Sequence, residues 1–254
     1  MAYTQRMKIL CSHLRKAETF ADVGCDHGYM SEYMLKNGLC GKLYFSDVSR
    51  GSLAKAKKLL AEYVDGGRAE GVLGDGFYGV PKDTEEVLIA GMGGSEIVDI
   101  LSHEKYGFLP AYFVFQPMLD GEKLRRYLIE NGAFLERDYT FVCDGKPYDC
   151  ITGRKRKKGE ETQTYTRAEY AFGRENIQSR SEDFLKRLKE KAARVWKYMN
   201  GNGLSEKSRE ELTARYEFLT GVISGEIERT VFTGGAFRAD SLQRRILLPI
   251  RRVR

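Results

Sequence analysis

Four short apolar runs, at residues 19–23, 43–46, 87–90 and 112–115, recur through the first part of this chain, each closed by a turn signal. Runs this short, bounded in this way, suit buried strands rather than helices. The intervening patterns at 29–37, 52–63, 95–101 and 120–131 carry helical spacing. Ser52, Ser95 and Asp120 are candidate starting caps there, and Asn131-Gly132 is a candidate stop. Strands that alternate with helices pair in parallel through crossovers, so the pattern predicts an α/β sheet with helices on both faces. Two later runs, 134–143 and 148–153, are joined through Asp144-Gly145-Lys146-Pro147, a hairpin signal that predicts a closing antiparallel pair.

The alternation stops at Arg154-Lys155-Arg156-Lys157-Lys158, which places a domain boundary after residue 153. Beyond that cluster, Phe184, Leu185, Leu188, Ala192, Val195, Trp196 and Met199 recur at three- and four-residue steps and share one helix face. Asn200-Gly201-Asn202-Gly203 ends that helix, and Leu212, Tyr216, Leu219 and Ile223 mark a second one after Ser205. The pair reads as a coiled-coil-like helical hairpin within a domain spanning 154–230. A tail, 231–254, carries Gly234-Gly235 and isolated arginines, and its order is not decided by its sequence.

Charge divides along the same line. Residues 1–153 hold 18 Lys/Arg against 22 Asp/Glu, whereas residues 154–199 hold 14 against 7 and the tail holds six Arg against one Asp. Cations gathered outside the first domain favour a polyanionic partner, most simply a nucleic acid, against the alternative of a solvated helical face. No stretch approaches the roughly 18 apolar residues that a membrane helix requires. The opening residues are too polar for a secretory signal, and the five cysteines show no paired short spacing. The expectation is a cytoplasmic protein with free thiols, acting as a monomer without membrane or metal.

The first strand runs into Ala21-Asp22-Val23-Gly24-Cys25-Asp26-His27-Gly28-Tyr29. Gly24 and Gly28 allow a sharp turn and close approach of a ligand, and the helix from Tyr29 points its N-terminus above the sheet. Asp47, about 20 residues further on, ends the second strand, where a carboxylate can accept from a ribose diol. These features suit nicotinamide dinucleotides and S-adenosylmethionine alike. Asp22 and Asp26 separate the two, because anionic groups in the turn repel a pyrophosphate and suit a sulfonium and an ammonium. The glycine spacing also departs from G-x-G-x-x-G. In Gly74-Asp75-Gly76-Phe77, Asp75 can bond an adenine amino group and Phe77 can cover its ring. Ala90-Gly91-Met92-Gly93-Gly94 offers a bare floor for a large substrate base or, equally, close helix–strand packing. The resulting cofactor set is Asp22, Gly24, Asp26, His27, Gly28, Asp47, Asp75, Gly76, Gly91, Met92 and Gly93.

Taken together with Phe115-Gln116-Pro117, Leu124-Arg125 and Gly145-Lys146-Pro147-Tyr148-Asp149, these segments resemble the bacterial tRNA adenine N1-methyltransferases of the TrmK type, which act at tRNA position 22. The resemblance covers roughly residues 4–230. It implies a Rossmann-like class I methyltransferase sheet followed by an all-α coiled-coil domain, with S-adenosyl-L-methionine as cofactor and tRNA as partner. The family turn usually continues Asp-His-Ala-Tyr-Leu-Pro, whereas this chain has Asp26-His27-Gly28-Tyr29-Met30-Ser31 and so lacks the proline.

Adenine N1 carries its own lone pair, so positioning supplies much of the rate, and a nearby carboxylate stabilises the charge that develops. Asp26 is the candidate for that role, Gln116 for bonding the base edge and Tyr29 for stacking on it. His27 suits either proton handling or an ordering role in the turn. N1 is occluded in a base pair, so the nucleotide must be unpaired or extruded. Arg154, Lys155, Arg156, Lys186, Arg187, Lys191 and Arg194 are the candidate phosphate contacts. Another RNA site, a protein substrate, an RNA-binding module with a vestigial cofactor site, and a nicotinamide oxidoreductase are the alternatives.

Overall fold

A computed structural model describes residues 3–201 and 203–226. The elements run α1 (Gln5–Cys11), β1 (Ala17–Val23), α2 (Tyr29–Lys36), β2 (Cys40–Asp47), α3 (Arg50–Leu59), α4 (Ala61–Asp65), β3 (Ala69–Leu73) and β4 (Glu86–Ala90). They continue as α5 (Gly94–Ser102), β5 (Tyr112–Gln116), α6 (Gly121–Glu130), β6 (Ala133–Cys143) and β7 (Lys146–Lys155). Four helices complete the order: α7 (Arg167–Phe172), α8 (Arg174–Ser179), α9 (Glu182–Met199) and α10 (Glu206–Ser224). The tail 231–254 lies outside the described residues.

The strands form one seven-stranded sheet in the order β3-β2-β1-β4-β5-β7-β6. β1 to β5 are parallel, and β7 joins β5 and β6 antiparallel. This is the predicted doubly wound outline with its antiparallel close. Register explains why ligand-facing turns converge: Val23 lies beside both Ser46 and Ile89, and Asp47 lies beside Leu73. The turns leaving β1, β2, β3 and β4 therefore emerge along one edge, on either side of the point where the strand order reverses. Strand β4 is buried across Val87, Leu88 and Ile89, and Phe20, Phe45, Phe113 and Phe115 fill the layers around it. Each such side chain contributes about 1.5–3 kcal/mol by burial. At the far edge, the hairpin between β6 and β7 turns on Asp144 (φ 50°) and Gly145 (φ 71°). Two consecutive positive φ values match the twist of a two-residue hairpin.

The helix starts correct the reading of caps. Ser49, not Ser52, caps α3, accepting from Ser52 N at 3.2 Å. Ser95 lies inside α5, where its hydroxyl donates to Asp120 Oδ2 at 2.7 Å. The start of α5 is closed instead by Glu96, which reaches back to Gly93 N. Asp120 does precede α6, but in a left-handed conformation without a side-chain capping bond.

Two compact units divide the chain. The first comprises Met1–Gln163 with Tyr170–Glu175, and the second comprises Thr164–Glu169 with the chain from Asn176 onward. The first unit therefore runs past residue 153. It also keeps the basic cluster, since Arg154 and Lys155 are paired in β7 with Tyr112 of β5 and with Phe134 and Ala133 of β6. Within this unit Arg125, fully buried, donates to Asp138 Oδ1 at 2.7 Å, to Asp149 Oδ2 at 2.9 Å and to the Tyr170 carbonyl at 3.3 Å. Asp138 accepts from Arg174 N, and Glu175 accepts from Asp138 N, so the returning segment is sewn to β6.

In the second unit, α9 buries Phe184, Leu188, Ala192 and Val195, the stripe read from the sequence. Trp196 stands at the edge of that stripe, half-exposed, with its ring 5.2 Å from that of Tyr216. The antiparallel pairing also brings Thr213 Oγ1 to Met199 Sδ. On α10 the most buried side chains are Phe218, Leu219 and Val222, so the apolar face is broader than Leu212, Tyr216, Leu219 and Ile223 implied. Phe218 packs beneath the Arg167 guanidinium, 4.2 Å from its ring centre. Arg180 donates to the carbonyls of Val222 and Ile223 and so satisfies the end of α10.

Candidate active site

A cavity of about 460 Å³ opens along the sheet edge where the first four strands end, a size that suits a small-molecule ligand. Asp22, Gly24, Asp26, His27 and Tyr29 line it from the β1 turn, and Ser46, Asp47 and Val48 from the end of β2. Gly74, Asp75 and Gly76 contribute from the end of β3, and Ala90, Gly91 and Met92 from the end of β4. The structure thus brings together most of the residues singled out by sequence. It adds Arg6, Met7 and Leu10 from α1, an element that the sequence pattern did not reveal.

The β1 turn is held by backbone as much as by side chains. Gly24 N and Cys25 N both donate to the Ser46 carbonyl at 2.9 Å, and Asp26 N donates to Asp47 Oδ2 at 3.0 Å. Asp47 Oδ1 accepts from Ser49 N at 2.7 Å, so one carboxylate ties the β1 turn to the start of α3. Gly24 has φ 72°, and a Cβ there would lie 2.3 Å from Met92 Cε, so a side chain would be strained and would displace the Met92 tip that also lines the cavity. Asp26 also adopts a left-handed conformation, with φ 48°. That is uncommon outside glycine, although Asp tolerates it better than most residues.

Asp22 is 4% exposed and accepts from Ser31 Oγ at 2.7 Å. Burial pushes its carboxyl up to about 6; Ser31 hydrogen bonds pull it down, while Asp47 and Asp26 add to the rise. A carboxylate kept out of water in this way stands ready to pair with a cation. Asp26 stands at the rim, exposed, with His27 Nδ1 2.9 Å from its Oδ2. Lys55 Nζ lies 3.0 Å from His27 Nε2. An ammonium only donates, so Nε2 accepts and the imidazole proton sits on Nδ1, facing Asp26. The His27 ring in turn stacks against Tyr29, with centroids 5.8 Å apart and planes at 29°.

Some of the singled-out residues stand back from the cavity. Gly28 (φ 76°) packs against α3, where an added Cβ would meet Ala56 Cβ at 3.0 Å. Gly93 caps α5. Gln116 is fully buried, its Nε2 donates to the Pro117 carbonyl at 3.0 Å, and its side chain does not line the cavity. Phe77 turns inward and stacks on Phe108 at 4.2 Å rather than covering the cavity. The glycine floor is set by packing: a Cβ on Gly94 would lie 2.3 Å from the Asp120 carbonyl oxygen. Gly94 N donates to the Leu119 carbonyl and Met118 N to the Met92 carbonyl, so the loops after β4 and β5 are tied together.

The candidate phosphate contacts also divide. Arg154 is held by Glu136 and by Glu160, with two 2.8 Å bonds to the latter, and lies over the Phe134 ring. Arg156 bonds Thr162 Oγ1, and Lys155 is exposed. On α9, Lys186 and Arg194 are exposed, and Arg187 and Lys191 are partly buried. Among the described residues no group of three or more His, Cys, Asp or Glu is placed to hold a metal ion. The five cysteines are free and buried. No helix among the described residues is long and apolar enough to cross a membrane.

The order β3-β2-β1-β4-β5-β7-β6, with Asp22, Asp26, Asp47 and Asp75 around a cavity at the reversal of strand order, defines a Rossmann-like domain of the methyltransferase kind. Residues 3–151 match the methyltransferase-domain family, and the chain belongs to it. Solved structures share the fold across most of the chain. One is M. capricolum TrmK in complex with S-adenosyl-homocysteine (TM-score 0.78, 17% identity, 90% of this chain and 100% of that one). Another is the m1A22 tRNA methyltransferase TrmK of B. subtilis (TM-score 0.75, 21% identity, 87% and 99%). By sequence, a Mycoplasma pneumoniae (strain ATCC 29342 / M129 / Subtype 1) protein, provisionally named a tRNA methyltransferase, is 34% identical over 120 residues, covering 46% of this chain and 54% of its own length. The tRNA (adenine(22)-N(1))-methyltransferase of Bacillus subtilis (strain 168) is 23% identical over 150 residues, covering 58% and 63%. The chain therefore spans rather more than half the length of these two curated relatives.

Proposed function

We propose that this chain is an S-adenosylmethionine-dependent methyltransferase acting on N1 of an adenine in tRNA, at position 22. The observation that carries the reading is the cavity wall itself, where Asp22 and Asp26 flank the β1 turn, Asp47 ends β2 and Asp75 follows β3 at one sheet edge. Four carboxylates suit a ligand with cationic groups and a ribose, and disfavour a pyrophosphate. S-adenosylmethionine would supply an electrophilic methyl group on its sulfonium. The residues present fit it: buried Asp22 offers a desolvated acceptor, and Gly24 turns with φ 72° without a side chain at the cavity wall.

The rest of the work belongs to this chain's side chains. Tyr29, aligned by its stack with His27, offers a ring face to an incoming base. Asp26 stands where its carboxylate balances the positive charge that adenine acquires on alkylation at N1. His27 holds that carboxylate with its Nδ1 proton, and Lys55 fixes the tautomer. Gln116 orders the loop after β5 from behind, a positioning role in place of contact with the base. The domain assignment that accompanies this reading gives the sheet unit the chemistry and the basic hairpin the RNA backbone, with Lys186, Arg187, Lys191 and Arg194 as phosphate contacts. The names of the sequence relatives and fold neighbours support tRNA and adenine N1 as substrate.

The test is incubation of the purified protein with unmodified bacterial tRNA and methyl-labelled cofactor, followed by mass mapping of the modified nucleotide. N1-methyladenine at position 22 is the expected product. Label in a different nucleotide would move the substrate assignment, and no label above background would remove the tRNA reading.

A further inference from the structure

Met118 and Leu119, in the loop that leaves β5, are 49% and 62% exposed. Large apolar side chains held side by side in water are costly unless a partner covers them. Neither lines the cavity, so a small ligand held there does not account for them. The backbone beneath them is pinned at several points. Gln116 Nε2 donates to the Pro117 carbonyl at 3.0 Å, Met118 N to the Met92 carbonyl at 2.8 Å, and Gly94 N to the Leu119 carbonyl at 2.7 Å. Asp120 closes the loop in a left-handed conformation, φ 55°, with its Oδ2 accepting from Ser95 Oγ at 2.7 Å. A backbone of that shape persists only where its surroundings hold it. Met92, which takes the Met118 bond, itself lines the cavity, so the apolar tip stands at the cavity's border. Beside it the exposed ammonium of Lys123 lies 3.0 Å from Ser95 Oγ and 3.6 Å from Asp120 Oδ2.

We infer that Met118 and Leu119 form an apolar wedge that enters the RNA base stack beside the target adenine and fills the place the adenine vacates. The inference rests on the adenine N1 reading and deepens it. N1 lies on the edge that pairing occludes, so a paired target must leave its stack before a methyl group can reach it. The departing base leaves a gap, and apolar side chains set between base steps replace part of the stacking that is lost. Such an exchange needs side chains that are exposed before the RNA arrives, apolar at the tip and fixed by their backbone. All three conditions hold for Met118 and Leu119. A loose loop would lose conformational entropy on insertion, whereas this one has little left to lose. Lys123 sets a cation beside the wedge for the phosphate that flanks the gap, which favours a nucleic acid over a protein as the occupant.

The test compares two tRNA transcripts that carry the target adenine. One holds it in a Watson–Crick pair; the other has an abasic residue in place of the pairing nucleotide. The kcat/KM for methyl transfer is measured on both with the full chain as wild type, as Leu119→Ala, as Leu119→Ala combined with Met118→Ala, and as Leu119→Phe. Leu119→Ala should raise the preference for the abasic transcript roughly tenfold over wild type, and the double variant should raise it further. Leu119→Phe keeps an apolar tip and should hold the preference near that of wild type. Melting midpoint and S-adenosylmethionine affinity, followed in the same variants, report the fold and the cavity. A purely structural role for the loop lowers both rates alike and leaves their ratio where it was, which overturns the wedge. A double variant with neither rate reduced also overturns it and hands the apolar pair to a protein partner. Both of those results leave the adenine N1 reading standing. Wild-type protein that methylates N1 in neither transcript overturns that reading together with the wedge.

Discussion

Asp22 at the cavity and Arg194 on α9 are both charges proposed to bind a ligand, and they are kept in opposite ways. Asp22 is buried, bonded to Ser31, and set by a turn whose N–H groups are spent on the Ser46 carbonyl and Asp47. Arg194 is exposed and forms no ion pair among the described residues. Its influence reaches Arg215, whose pKa is lowered by burial and by the nearby Arg194 charge. A small cationic ligand needs one charge in one place, so a rigid desolvated site suits it. A polyanion needs many charges near a surface, and solvated, rotatable cations suit that better. Arg154 stands between the two, a surface cation already answered by Glu136 and Glu160.

Substitutions should separate these regimes by size and sign. Asp22→Asn should have the largest effect, weakening S-adenosylmethionine binding by roughly 100-fold in calorimetry. The same change should stabilise the free protein, because the carboxyl sits near 6 in the fold against an ordinary value of 3.8. The folded state then holds the proton more tightly than the unfolded chain, so stability is fullest below 3.8 and falls as pH rises through 6. Melting at pH 7.5 should show the variant roughly 5 °C above wild type, with the gap closing as pH falls to 3.8. A lower midpoint at pH 7.5 would mean that Asp22 holds the fold together instead of straining it.

Gly94→Ala should come next, since its Cβ meets the Asp120 carbonyl, which cannot swing away. A loss of about 2–3 kcal/mol is expected from overpacking, read from urea unfolding, with weaker cofactor binding as the two joined loops separate. On the hairpin, Arg187→Glu with Arg194→Glu should weaken tRNA binding roughly tenfold near 0.1 M salt and lower the salt slope by about one per cation removed. Cofactor affinity should not move, and a parallel loss of both would break the contrast drawn between the two regions. Arg154→Gln should be the mildest for RNA, within about twofold, while lowering the melting midpoint through Glu136 and Glu160. A tenfold loss of RNA affinity there would return the strand-end cluster to the binding surface.

The sheet was legible in sequence because each strand is a short apolar run with a turn behind it, and the I′-type turn at Asp144-Gly145 announced its own geometry. The cavity acids were legible for the same reason, since a turn that follows a strand has only one edge to occupy. The place of Arg6 in the cavity lining was not, because α1 is only seven residues long and the loops it lies over come from distant parts of the chain. Phe77 and Gln116 were placed at the right turns but facing the wrong way, as backbone position does not determine which side chain turns inward. The pairing of Arg154 was not legible because its carboxylate partners come from residues 136 and 160, and a count of charges along the chain cannot pair them.

The stitched return of Tyr170–Glu175 bears on how such a protein can be divided. Because Arg125 and Asp138 are completed by the Tyr170 carbonyl and Arg174 N, a cut after Gln163 leaves a buried guanidinium and its carboxylate each short of a partner. A cut beyond Glu175 keeps those partners with the sheet but takes Thr164–Glu169 from the helical unit, so a transplanted helical partner has to bring its own counterpart of that segment. An excised sheet domain ending at 175 should be soluble and cofactor-competent where one ending at 163 is not.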